Sequence, residues 1–149
     1  MTIEEKVNKG IMEAMKARET LRLEVLRNIK KVFIEAKAAP GASASLSDAE
    51  CVKIIGKLAK QGRDAAAIFL QQGRTDLYDH ESAQVAVLEE FLPRQLNEEE
   101  LIAALKAIIE QVGATSAQDT GKVMSVATRA LAGTADGKII AVKVKELLG

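Results

Sequence analysis

Two short runs near the C-terminus hold the residues best suited to chemistry: Asp119-Thr120-Gly121-Lys122-Val123-Met124 and Gly133-Thr134-Ala135-Asp136-Gly137-Lys138. Each sets an acid fit to cap a helix just before a glycine and a lysine. A helix start of that kind offers a cation beside backbone N–H groups with no acceptor inside the helix, which suits an anionic partner. Lys122 and Arg129 are seven residues apart, and Lys138 and Lys145 repeat the spacing, so each pair shares one face of a helix. With Lys143 added, these cations can line a surface that meets a phosphate backbone, with Gly121 and Gly137 marking the helix starts that offer amides. From Ala114 onward Lys122, Arg129, Lys138, Lys143 and Lys145 outnumber Asp119, Asp136 and Glu146 by two. The same cations would equally serve as the solvated outer faces of amphipathic helices.

Any such site has to be local. The chain of 149 residues carries 21 Lys and Arg against 21 Asp and Glu, so it is not a polycation that coats nucleic acid. Aromatic residues make up 3% with no Trp, which removes the stacking platforms used for single-stranded bases. Cys51 is the sole cysteine, so no intrachain disulfide forms and a reducing cytoplasm is the expected setting. No basic-then-apolar leader opens the chain, and no apolar run approaches membrane-spanning length, so neither secretion nor a membrane partner is expected.

Catalytic residues are not in evidence. His80, in Tyr78-Asp79-His80-Glu81, is the only histidine, and it reads as a solvated residue of a helix surface rather than a base or metal ligand. Cys51 follows Glu50 near a helix start, where a thiolate is somewhat favoured, but it reads as a small apolar residue. No Cys-x-x-Cys, His-Glu-x-x-His or phosphate-loop pattern is present, and Gly121-Lys122 lacks the earlier glycine and strand of a Walker loop. No metal and no cofactor are expected.

The elements that position the cations are helices throughout, so the fold class is all-α. Thr2 to Glu5 has the form of a capping box and opens a helix to about Lys16. A second helix, about Glu19 to Ala38, carries Leu23, Leu26, Ile29, Phe33 and Ala36 on one stripe and stops at Ala39-Pro40-Gly41. Ser47 to Glu50 is another capping box. Its long helix lines up Val52, Ile55, Leu58, Ala59, Gly62, Ala66, Phe69 and Leu70, with Gly62 allowing close helix contact and Gly73 as the stop. A fourth helix, about Asp76 to Phe91, bears Leu77, Val85, Leu88, Phe91 and Leu92 and ends before Pro93. Three shorter helices follow. One starts at Asn97 and stops at Gly113, one starts at Ser116 or Asp119 and runs to Gly133, and one is capped by Asp136 with Ile140, Val144 and Leu147 inward. The organisation expected is a bundle of about four helices over residues 1–92, then a small three-helix domain over residues 93–149, with Pro93-Arg94-Gln95 as a hinge.

Charge is unevenly spread along this plan. In the first 39 residues nine cations face six acids, and Arg27, Lys30, Lys31 and Lys37 lie on or beside the polar side of the second helix. Residues 40–92 are net acidic by three. Segregation of this sort suits a directional docking surface better than a uniform coat.

Several of these segments together resemble a known family. Gly73-Arg74-Thr75-Asp76-Leu77, Leu88-Glu89-Glu90-Phe91-Leu92-Pro93-Arg94-Gln95-Leu96, Gly121-Lys122-Val123-Met124 and Ala135-Asp136-Gly137-Lys138 are similar, in order and over nearly the whole chain, to the GatB/YqeY family, and most of all to its free-standing YqeY-type members. Residues 93–149 resemble the C-terminal domain of the B subunit of the tRNA-dependent amidotransferase. The resemblance implies a helical adaptor that binds tRNA or an aminoacyl-tRNA complex through that domain. It also implies association with a carbon–nitrogen ligase that takes glutamine as amido donor. The ATP cradle and glutaminase machinery of such a ligase have no counterpart here, so the chain is not expected to catalyse alone. The partners implied are tRNA, or an amidotransferase or synthetase for which the chain would be a scaffold. One position departs from the pattern: Thr134 stands where members often carry Lys or Arg after the glycine.

Overall fold

The computed structural model describes every residue, Met1–Gly149, and contains seven α-helices and one short 3-10 turn. By internal contacts the chain divides into two compact units, Met1–Leu92 and Pro93–Gly149.

The first unit holds α1 (Ile3–Ala17), α2 (Thr20–Ala38), α3 (Asp48–Gln71) and α4 (Thr75–Glu89). Both expected capping boxes form, Thr2 with Glu5 and Ser47 with Glu50. Each satisfies two backbone groups that a helix start leaves without partners. α1 ends at Arg18, whose φ of 58° is left-handed, a conformation that the sequence gives no glycine to signal. α4 stops short of Phe91. The N–H groups of Glu90, Phe91 and Leu92 donate to carbonyls three residues back, so its last turn tightens ahead of Pro93.

Leu26, Ile29, Ile55, Val7 and Cys51 are fully buried where α1, α2 and α3 meet, and Val87 and Leu88 of α4 join them. Val87 lies off the stripe expected for α4. That helix is packed on by both α2 and α3, so its apolar residues spread round the cylinder instead of keeping one period. Leu70 departs the other way. It is 54% exposed, because the buried line of α3 (Cys51, Ile55, Ala59, Gly62 and Ala66) ends one turn before it.

Two glycines set the helix spacings. A Cβ on Gly10 would sit 3.0 Å from Leu26 Cδ1, and one on Gly62 would sit 2.6 Å from Val85 Cγ2. The second approach brings α3 and α4 together, and Arg63 on one donates to Glu89 on the other (3.1 Å). The open edge of the bundle is fastened by carboxylates. Glu4 accepts from Lys37 (2.7 Å) and from the Leu46 N–H (2.9 Å), while Asp48 accepts from the Ile3 N–H (2.9 Å). These bonds tie the start of α1 to the end of α2 and to the loop before α3, and the bond from Lys37 in particular holds the Glu4 carboxyl below its usual pKa.

The second unit holds α5 (Glu98–Val112), the 3-10 turn Ala117–Asp119, α6 (Thr120–Ala130) and α7 (Gly137–Leu148). Leu101, Leu105, Ile108, Val123, Ala127, Leu131, Ile140 and Val144 form its core. Asn97 and Glu100 make a third capping box, and Gly113 (φ 71°) and Gly133 (φ 78°) turn the chain at the helix ends in the left-handed region that glycine enters freely. Both starts expected for the middle helix are used, since the 3-10 turn follows Ser116 and α6 proper follows Asp119. No helix is long and apolar enough to cross a membrane.

Gly62→Ala should cost about 1–3 kcal/mol in urea-induced unfolding, the range for overpacking a tight contact. The double variant with Val85→Ala should recover much of that loss, because it removes the methyl group that the new Cβ would strike.

Candidate nucleic-acid interface

Position in the small second core decides which cations face water. Val123 and Ala127 turn the inner side of α6 to that core, so Lys122 and Arg129 fall together on an exposed flank. Ile140 and Val144 do the same for α7, leaving Lys138 and Lys145 together on its outer side. None of these four closes an ion pair; the pairs of this unit are Arg94 with Glu100, and Lys143 with Glu98 and Glu146. Arg129 leans back along its own helix, its Nε donating to the Ser125 carbonyl (3.4 Å).

Lys143 behaves differently. Its side chain is only 18% exposed, and Nζ reaches Glu98 at 2.6 Å and Glu146 at 3.4 Å. It links α7 to the first turn of α5 and is thereby taken up inside the unit, whereas its sequence position alone sets it among the open cations. The bond to Glu98 pushes the Lys143 ammonium above its usual pKa, and the same bond holds the Glu98 carboxyl below its own.

The two glycines have a different part from the one that helix starts would suggest. The 3-10 turn runs straight into α6, so the N–H groups of Asp119 and Thr120 already donate to the carbonyls of Ser116 and Ala117. At α7 the Asp136 carboxylate accepts the Lys138 N–H (2.8 Å) and puts a negative charge where an incoming anion would go. Gly121 and Gly137 are both exposed, and a Cβ on either would meet nothing within 4 Å. Neither has a left-handed φ. Internal packing therefore does not call for glycine at these places, and what both leave is bare backbone beside an open lysine.

The acids near these cations are occupied within the unit. Asp119 accepts the Thr115 N–H (2.9 Å), which keeps its carboxyl below the usual range, with the charge of Lys122 adding to the effect. Gln95 and Thr134 account for the turn between α6 and α7. Gln95 Nε2 donates to the Gly133 carbonyl (2.6 Å), and the Leu96 N–H donates to the Thr134 carbonyl (2.9 Å). The Thr134 hydroxyl donates to the Leu131 carbonyl (2.8 Å), closing the end of α6. The position that lacks a cation is thus a half-buried structural one, and Gln95, expected in a hinge, is fastened within this unit. Sequence periodicity did not mark Ile139 and Val142, which are 52% and 54% exposed on α7.

The other candidate residues lie apart from this surface. His80 is exposed on α4 with its Nε2 3.2 Å from the Gln84 amide. Cys51 is fully buried, and burial above all, with Glu4, Asp48 and Glu50 nearby, pushes its thiol up to about 11. It is protonated at neutral pH and shielded from reagents, and so has the character of a core residue. A groove of about 280 Å³ between α2, α3 and α4, with Glu24, Asn28, Gln61, Glu81 and Gln84 among its walls, brings no nucleophile and base together.

A protein-family model described as Yqey-like protein matches residues 4–148. No curated protein matches the chain.

Lys143→Gln should lower the thermal unfolding midpoint, whereas Lys138→Gln and Lys145→Gln should leave it in place. The pairing also fixes the sign of the pH effect. Glu98 has a lowered folded pKa, so its contribution is present above the ordinary carboxylate range and fades as pH falls through the folded value. Lys143 has a raised one, so its contribution fades as pH climbs through the folded value above the ordinary lysine range. The variant should therefore lose less stability than the parent on acidification below about pH 4.3, the normal Glu value.

Proposed function

We propose that this chain, which belongs to the Yqey-like protein family, is a helical adaptor that binds tRNA or an aminoacyl-tRNA complex through the cations of residues 93–149. The observation that carries the reading is the pattern of ion pairing. Glu98 and Glu146 are taken by Lys143, Glu100 by Arg94, and Asp119 and Asp136 by backbone N–H groups. Lys122, Arg129, Lys138 and Lys145 stand exposed with no carboxylate partner. Unpaired cations set two by two along α6 and α7 suit an extended phosphate backbone more than they suit a small ligand.

In this role the missing side chains at Gly121 and Gly137 leave room for a phosphate strand beside Lys122 and Lys138, whose ammonium groups and not the helix-start amides make the contact, and Lys143 holds α7 in place. The chain serves glutamine-dependent amide transfer on tRNA by presenting the RNA, with the chemistry supplied by a partner enzyme in the cytoplasm. A second reading, a scaffold that touches only the protein partner, draws on Ile139 and Val142, an exposed aliphatic pair on α7. A complex with an amidotransferase or synthetase that survives high salt and RNase would support it, since apolar contacts resist screening.

Fluorescence anisotropy of labelled bulk tRNA, from about 50 to 200 mM salt, tests the proposal. Binding should weaken steeply over that range. Exchanging Lys122, Arg129 and Lys138 together for Glu should abolish it without loss of helicity, and full binding by that variant would rule the surface out. Gly121→Ala and Gly137→Ala separate fold from function: each should be neutral or stabilising by up to about 1 kcal/mol, the helix propensity gain, while weakening RNA binding. Stabilised variants with unchanged affinity would show that the bare backbone has no role in contact.

A further inference from the structure

The first unit carries its own concentration of unanswered positive charge. Among the cations of α1 and α2, Lys9 pairs with Glu13 (3.8 Å), Arg22 with Glu90 (2.6 Å) and Lys37 with Glu4 (2.7 Å). Arg27, Lys30 and Lys31 close no such pair and are exposed. Separated by three and four residues, they lie on one face of α2 around Ile34, which is 55% exposed. Val25, Leu26, Ile29 and Phe33 hold the opposite side in the core, so the face is fixed toward solvent. Glu24 and Glu35 are the acids along its edge, and neither reaches a cation closely enough to pair.

The shape of this face narrows the class of partner. Lys30 and Ile34 border a notch of about 40 Å³ beside Asn8 and Lys37, far below the roughly 300 Å³ at which small-molecule pockets begin. A single exposed aliphatic residue, with the rest of the apolar side of α2 committed to the core, gives no face to insert into a lipid surface. No aromatic residue stands on it to anchor a protein partner. What remains is three exposed charges along about 6 Å of helix, at a rise of 1.5 Å per residue, beside an amide donor. That is a match for successive phosphates.

We propose that the outer face of α2, Arg27, Lys30 and Lys31 with Asn8 beside them, is a second RNA-backbone contact, distinct from the cations of α6 and α7. The inference rests on the RNA-binding reading above for the class of ligand, but on different residues in a different unit.

The test uses the full chain and the same labelled bulk tRNA between about 50 and 200 mM salt. The variant with Arg27, Lys30 and Lys31 all changed to Gln should bind on the order of tenfold more weakly at the lowest salt. Its log–log salt slope should be shallower by about two to three, near one for each phosphate contact removed. Circular dichroism and the unfolding midpoint should not change, and the charge-preserving variant R27K/K30R/K31R should bind as the parent does. Parental affinity and slope in the Gln variant would overturn the inference and leave the α6–α7 surface standing. A loss in the Gln variant, with K122E/R129E/K138E binding normally, would uphold α2 as the contact and remove the other surface. No binding by the parent at the lowest salt would overturn both.

Discussion

Lys143, held between Glu98 and Glu146, is the interaction on which the reading of the second unit depends. In a chain of zero net charge every cation has a carboxylate to answer it somewhere, and a charged surface exists only if the answering acids are placed elsewhere. Here a partly buried lysine takes two glutamates, an arginine near the start of the unit takes a third, and two aspartates are given to backbone N–H groups. Pairing inside the unit thus leaves Lys122, Arg129, Lys138 and Lys145 without a carboxylate partner, as it leaves the exposed Glu99 and Glu110 without a cation. The pairs themselves are of the exposed or half-exposed kind that contributes little to stability, so their larger effect is on where charge is left over.

The same logic joins the two units without reference to their arrangement. In the first, Glu4 and Glu90 engage Lys37 and Arg22 and help fasten the bundle, and the outer cations of α2 are left without partners. Apolar packing does the rest of the positioning. Gly10 and Gly62 bring helix axes close enough to seal a core that has few aromatic side chains to fill it, and a bundle so fitted keeps its surface residues at fixed spacing.

Much of the scaffold was legible from residue order. The boxes at Thr2, Ser47 and Asn97 announce themselves because a hydroxyl or amide and a carboxylate three residues apart satisfy each other locally, with no help from the rest of the chain. The contact at Gly62 was readable for a similar reason: a glycine within an apolar helical stripe has few other uses. What lay beyond the sequence was set by tertiary partners. Val87 is buried because two helices meet α4, Leu70 is exposed because α3 runs past its core, and Lys143 is removed from the candidate surface by an acid 45 residues away. Spacing of seven put Lys122 with Arg129 and Lys138 with Lys145. It could not say that Asp136 already caps the Lys138 amide, or that Thr134 serves the turn and not the surface.

Cys51 gives the fold a further property. It is the only sulfhydryl in the chain, and it lies at the centre of the first unit with its proton retained. A disulfide-linked pair of chains, a mixed disulfide or a sulfenic acid can arise only after that unit has opened. Oxidation of the thiol is thereby coupled to unfolding, and in the intact molecule Cys51 passes through redox changes in the surroundings unaltered. The rate at which the thiol is captured becomes a clock for the opening of the first unit.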